Sequence, residues 1–459
     1  MTFLDEDDDM LIVNATLVNW MPRQITENQA LFLQGGRIAD IGHTQDLSVR
    51  YAHAERLDVG GKLVMPGNIC AHTHFYGAFA RGMSIPPPAP RNFPEILSKL
   101  WWNLDKALTL DDVRLSAQVC LVDAIKHGTT TLIDHHASPN AIEGSLDQIA
   151  EAVDKSGLRA VLCYEVTDRD GEDKAQAGIA ENIRFLRNLG NHPRIRGTFG
   201  LHASLTLSDE TLAACVQANE PFGGGFHIHV AEHESDQENA LQRSGVRVAR
   251  RLQRAGILGK RTIAAHCVHV DAWEMEILRG TETWVTHQPR SNMNNAVGAA
   301  PFDEMIRGGL KLCIGNDGFS NAMFEEWKTA YLLHKVAHRD PRCANGEDIV
   351  AAGAYHNAEL AEVFLGETLG VLSVGAVADI IVLDYHPFTP LTEGNLPWHI
   401  LFGVESSMVT ATIVAGQVLM WERRLLAMDE PAIAAEARAR VPSVWARYTQ
   451  LANAAASSA

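Results

Sequence analysis

At 459 residues the chain is long for one plain domain, and an apolar fraction of 46% suffices for a substantial core. Its 39 Lys and Arg against 56 Asp and Glu leave a formal charge of −17, which removes any general attraction for phosphate backbones or anionic lipids. That balance argues against a nucleic-acid polymer or a membrane as partner, while a free base remains admissible as a small substrate.

The N-terminus, Met1 to Asp9, is acidic where a secretory signal is basic and then apolar. No stretch offers the roughly 18 uninterrupted apolar residues of a membrane span, so a soluble, cytoplasmic protein is expected. Residues 10–63 read as short strands with turn signals: Leu11-Ile12-Val13, Ala30 to Leu33 before Gly35-Gly36, and Arg37 to Gly42. The texture returns at Ala378 to Asp384, Val409 to Gly416 and Gln417 to Met420. Because chain ends commonly lie close together, residues 1–63 and 370–425 are expected to form one small composite β-sandwich domain. Residues 426–459 make a C-terminal helical tail, with fraying expected in the Ala/Ser stretch 453–459.

Between the β segments, across 64–369, apolar strand-like runs alternate with helical patterns. The runs fall near 64–72, 129–134, 159–164, 195–202, 225–229, 261–266, 283–287 and 310–316. Eight such repeats predict an α/β fold, a closed (β/α)8 TIM-type barrel. An open doubly wound sheet is disfavoured, since no Gly-x-Gly-x-x-Gly follows the first strand. Leu110 to Gly128 reads as a capped helix ending at glycine, and Asp209 to Ala218 and Arg247 to Ala255 behave likewise. The proline-rich Ser84 to Pro90 cannot be regular structure and is expected to begin a long loop over the barrel mouth, with closure of the 84–105 segment left open. Seven scattered cysteines, an odd number with no Cys-x-x-Cys pair, read as buried free thiols.

The runs end in titratable or polar groups: His72/His74, Asp134-His135-His136, Tyr164-Glu165, His202, His229, His266, His287 and Asp317. In a barrel these ends face one mouth, where the chemistry is kept. His72 and His74, one residue apart on a strand, point the same way. Together with His229 and Asp317 they make a donor set suited to one Zn2+ or Fe2+ ion with a position open for water. Glu232, three residues past His229, is placed to move protons, against the alternative of a solvated residue in an acidic loop. His266 is placed to polarise a substrate or orient water, and Asp317 can double as base. His227 and His269 read as structural. The reaction class implied is hydrolysis at an electrophilic carbon.

These motifs resemble the amidohydrolase superfamily, in the branch of guanine, cytosine and methylthioadenosine/S-adenosylhomocysteine deaminases and s-triazine chlorohydrolases. The resemblance covers nearly the whole chain, through Pro66-Gly67 before the paired histidines, His229-Val230-Ala231-Glu232, Ala265 to His269, Gln288 to Asn292, Gly315 to Gly318 and Gly375 to Asp379. Segments His74 to Gly82, Leu100 to Asp105, Ile133 to Pro139, Arg290 to Asn295 and Met323 to Glu326 look most similar to the putative aminohydrolase SsnA group. The resemblance implies His72, His74, His229 and Asp317 as ligands, Glu232 as proton shuttle and His266 as assistant. It implies one ion, most simply Zn2+, since the fourth run, Ile195 to His202, lacks the lysine that dinuclear relatives carboxylate. Two departures are Asn316, where threonine is common, and Asn68 to Ala71 before the histidines. The implied reaction is attack of metal-activated hydroxide on an amino-substituted purine, pterin, pyrimidine or triazine-like ring, releasing ammonia. Arg81, His202 and Asn292 are expected substrate contacts near the mouth; Trp101 and Trp102 either stack on the ring or pack a helix. Relatives of this architecture are often dimers. Two rivals stay open: a hydrolytic dechlorinase or cyclic amidase on the same site, and a non-catalytic barrel that binds without reacting.

Overall fold

A computed structural model of the chain describes residues 9–458; Met1 to Asp8 of the acidic N-terminus and Ala459 lie outside it, as do the side chains of residues 455–458. The apolar alternation at the two chain ends produces one nine-stranded sheet. Met10–Trp20, Arg23–Gln34 and Arg37–His43 form an antiparallel meander, and Ile380–Leu383, Val409–Val414 and Gln417–Trp421 form another. Leu63–Pro66 joins the two, parallel to Met10–Trp20 and antiparallel to Ile380–Leu383. Ile38 and Val418, from strands near opposite ends of the order, share a buried cluster with Ile12, Leu31, Val64 and Ile380. The sheet therefore curls around its own core.

The run read as a single strand at 64–72 is two. The ladder with the end sheet runs one residue past Pro66, where the Gly67 N–H donates to the Asp379 carbonyl at 3.0 Å, and the chain then enters the barrel as Asn68–Thr73. Seven more parallel strands follow: Thr129–Asp134, Arg159–Leu162, a fourth interrupted at Thr198 (Ile195–Gly197 and Phe199–Ala203), Phe226–Val230, Ile263–His266, Trp284–His287 and Leu312–Ile314. Helices alternate with them. Leu110–Lys126 begins with reciprocal bonds between Thr109 and Asp112, and Asp209–Asn219 begins at Ser208, whose side chain accepts from the Thr211 N–H. The fold is the (β/α)8 type, with the eight strands grouped as two ladders. The ladders meet at single bridges, Thr73 to Asp317 and Val166 to Leu201. At both seams the backbones approach too closely for a side chain: a Cβ on Gly315 would lie 2.6 Å from the His72 N and O atoms, and one on Gly200 would lie 2.3 Å from the Tyr164 carbonyl oxygen.

The proline-rich segment is irregular, as its composition requires, and leads into a helical stretch from Phe93 to Ala107. The C-terminal helix, Glu430–Ser458, packs beside that stretch and continues through the Ala/Ser residues expected to fray. Tyr448 Oη donates to the Lys99 carbonyl at 2.9 Å, Arg447 Nε to the Ala107 carbonyl at 2.6 Å and Trp445 Nε1 to the Phe79 carbonyl at 2.8 Å. All seven cysteines are free, and six are buried. Among the described residues no helix is long and apolar enough to cross a membrane.

Candidate active site

The barrel strands deliver the histidines to one point, and their hydrogen bonds say which nitrogen of each neutral ring is bare. A carbonyl oxygen only accepts, so His74, with Nδ1 2.5 Å from the His135 carbonyl, and His229, with Nδ1 2.8 Å from the His202 carbonyl, both carry hydrogen on Nδ1. Their Nε2 atoms lie 3.2 Å apart, and in the neutral rings that ligate a metal they face each other lone pair to lone pair. Cys163 donates its hydrogen to the Asp134 carbonyl, so its sulfur accepts from His227 Nδ1; the His227 Nε2 then accepts from His72 Nδ1 at 2.8 Å, which leaves the neutral His72 its lone pair on Nε2. Asp317 Oδ1 completes the group, 3.2 Å from His72 Nε2 and 2.9 Å from His74 Nε2. Three imidazole nitrogens and a carboxylate oxygen converge, and with no cation among them Asp317 holds the His74 imidazole up at about 9, against its burial. A cation bonding each donor at about 2.0–2.2 Å turns the lone-pair repulsion into attraction, so the residues fit one divalent metal ion.

Backbone strain is concentrated here. Ala231, His266 and Asp317 have φ of 47°, 72° and 58°, a left-handed conformation that costs non-glycine residues about 1–3 kcal/mol each. Ala231 thereby turns the chain so that Glu232 faces the cavity that His74, His229, His266 and Asp317 also line. Burial pushes the Glu232 carboxyl up to about 7, against the pull of His266. Glu232 Oε2 lies 3.5 Å from His266 Nε2, and His266 Nδ1 donates to Asn292 Oδ1 at 2.9 Å.

The remaining expected contacts divide. His202, Trp101 and Trp102 line the cavity, as do Phe93 and Leu97 of the 84–105 segment. Asn292 does not reach it: the residue is fully buried and holds His266 instead. Arg81 does not line that cavity; it follows the turn Phe75–Ala80 and lines an adjoining groove that runs from Asp123 to Trp101, Asp317 and Gly318, which line both. His287, expected at the mouth, pairs at 3.0 Å with His334 on the outer helix Met323–His338. His227 supports His72, and His269 donates to the Val297 carbonyl; both are structural, as their sequence context suggested.

Four further features carry little or no sequence signal. Glu165, its carboxyl pushed up to about 8 by burial, lies 3.4 Å from His74 Nδ1. His135 is enclosed by the donor histidines. Arg169 stacks on Trp102 and pairs with buried Asp105 in the cavity wall. Ser291 and Asn295 touch the two carboxylates Asp317 and Glu232. Only the strand-end positions of Glu165 and His135 were visible beforehand.

Residues 63–419 match the model described as "Amidohydrolase family", and the chain belongs to that family. It is accordingly a hydrolase of the class acting on non-peptide carbon–nitrogen bonds. It is 32% identical over 448 residues to 5'-deoxyadenosine deaminase of Methanosarcina acetivorans, covering 96% of this chain and 99% of that one. It is 30% identical over 440 residues to 5-methylthioadenosine/S-adenosylhomocysteine deaminase of Pelotomaculum thermopropionicum, covering 94% and 98%. Among solved structures, an adenosine deaminase from Xanthomonas campestris with bound zinc superposes with a TM-score of 0.85 at 22% identity, over 96% and 99% of the two chains. That likeness is one of fold.

Proposed function

We propose that the protein deaminates an amino-substituted nitrogen heterocycle, with His72, His74, His229 and Asp317 holding one Zn2+ ion. The observation that carries this reading is the convergence of three imidazole nitrogens and a carboxylate beside Glu232, a buried acid whose carboxyl is pushed up to about 7. An ion held there supplies Lewis acidity that makes water a source of nucleophile near pH 7.

Adding water across a ring C=N bond and expelling ammonia needs one proton at the ring nitrogen and one at the departing amine. Glu232 delivers the first from Oε2, is recharged by the proton that water loses on attack and passes that one to the amine, and regains its own when the C–O–H proton leaves as the C=O forms and the C–N bond to ammonia breaks. Asp317 and His266 accept the water's proton in passing, since both lie within the same small cluster of donors. Trp101, Trp102 and His202 offer ring faces and an imidazole edge to a planar substrate. The relatives named for 5'-deoxyadenosine and methylthioadenosine support a 6-aminopurine as first choice over pterin, pyrimidine or triazine. A cytoplasmic homodimer completes the reading, and light scattering checks its stoichiometry.

The test is ammonia release across aminopurines, aminopteridines, aminopyrimidines and aminotriazines with zinc-loaded protein. Turnover of one class supports deamination. Silence on every amino-substituted ring, with chloride release or ring opening of a cyclic amide in its place, overturns it.

A further inference from the structure

We propose that Ser291 and Asn295 form a positioning bridge that assigns, for each of the carboxylates Asp317 and Glu232, which oxygen is structural and which does chemistry. The inference rests on the roles just proposed for those two residues. The bridge stands on four contacts. Ser291 Oγ lies 2.5 Å from Asp317 Oδ2, and Asn295 Nδ2 lies 3.2 Å from Ser291 Oγ and 3.4 Å from Glu232 Oε1. On the far side, Asn294 Nδ2 donates to Asn295 Oδ1 at 3.2 Å.

The last contact orients the rest. With its carbonyl end occupied by a donor, the Asn295 side chain must present its NH2 group to both Ser291 and Glu232. Ser291 Oγ therefore accepts from Asn295, and its single hydrogen is left for Asp317 Oδ2. A carboxylate oxygen that receives a hydroxyl hydrogen is an acceptor, so Asp317 keeps Oδ2 for Ser291 and turns Oδ1 to the imidazole nitrogens. At the other end, Glu232 Oε1 receives an N–H, which puts the acidic hydrogen on Oε2, the oxygen facing His266.

The helix supplies the spacing. Ser291 sits within Pro289–Asn294 and Asn295 caps its C-terminus, so the two side chains, four residues apart, project on one face. Arg290 pins this helix from behind, its Nε 2.5 Å from Glu326 Oε1. Ser291 and Asn295 are both buried, so water does not replace the contacts they make. Neither residue touches the reacting atoms in this assignment; both act through the carboxylates they hold.

The experiment compares Ser291→Ala, Asn295→Leu and the double variant, each for kcat, KM, zinc content, Tm and the absorption spectrum of the Co2+-substituted protein. Partners that orient ligands and acids from behind typically control about 10–100-fold in activity or metal affinity. Each single variant is expected to lose at least about tenfold in kcat, with KM within about threefold of the parent and Tm little changed. The double variant is expected to fall no further than the worse single one, since one bridge is broken either way. Ser291→Thr, which keeps the hydroxyl, is expected to recover most of the loss. Asn295→Leu, which does not touch Asp317, is also expected to alter the Co2+ spectrum through Ser291. Parental kcat in Asn295→Leu, or losses that multiply in the double variant, overturn the bridge. The Co2+ spectrum keeps the question separate from the proposed reaction: if no ring is deaminated, a spectrum unmoved by Asn295→Leu still refutes the bridge, and a shifted one still supports it.

Discussion

A carboxyl group left 9% exposed holds its proton further up the pH scale than one in water, and burial pushes Glu232 up to about 7. Its proposed duty needs the protonated form in the free enzyme. The kcat/KM profile is therefore expected to be level below about pH 7 and to fall above it, and Glu232→Gln is expected to lack that alkaline limb. The same variant should keep zinc and fold while losing at least about a hundredfold in kcat, measured by steady-state kinetics alongside elemental analysis. Asp317→Asn differs in kind. One converging oxygen becomes an amide, so zinc stoichiometry and turnover are both expected to drop; full zinc occupancy with parental turnover would refute its role. The four donors and Glu232 were readable in the sequence because each closes a strand or follows one directly. Asn292 was not legible in the same way: nearness in sequence to a strand end does not say which way a short helix turns a side chain, and this one is turned onto His266.

Elements explain why the donors meet. The eight strand runs could be counted from apolar periodicity, but pairing could not, because bonds between strands far apart in sequence leave no local mark. The break after Pro66 was missed for that reason, as its partner lies at Ile380–Leu383. The seam between the eighth and first strands is the clearest case. Gly315 allows the Thr73 to Asp317 bridge to form against the backbone of His72, and the Asn316 and Asp317 N–H groups both donate to the His72 carbonyl. Gly315→Ala forces a Cβ into that backbone, an overpacking that costs about 1–3 kcal/mol and moves two donors at once. The expected result is a lower Tm and zinc affinity weakened by an order of magnitude or more, measured by calorimetry and metal competition. An alanine variant with parental zinc affinity would show that the seam has slack.

At the scale of the whole molecule, distant parts of the chain act on the mouth. The C-terminal helix holds the carbonyls of Lys99 and Ala107, at either end of the run that contains Trp101, Trp102 and Asp105 of the cavity wall. Tyr448→Phe removes one such bond, about 1 kcal/mol of support for this run, while Arg447→Ala removes a second and also takes an ion-pair partner from buried Asp112, so it costs more. KM is expected to rise about threefold to tenfold, while kcat and zinc content stay near parental values. A fall in kcat at constant KM would mean that the helix serves the chemistry rather than the wall. The sheet woven from both chain ends has a further consequence, for biosynthesis. Leu63–Pro66 leads straight into the strand bearing His72, yet of its two neighbours the one that pairs along its whole length, Ile380–Leu383, emerges from the ribosome only after the whole barrel has been translated. The first two of the converging histidines to be made are thus among the last to be locked in place, and loading of an ion belongs after translation, once the late strand has docked.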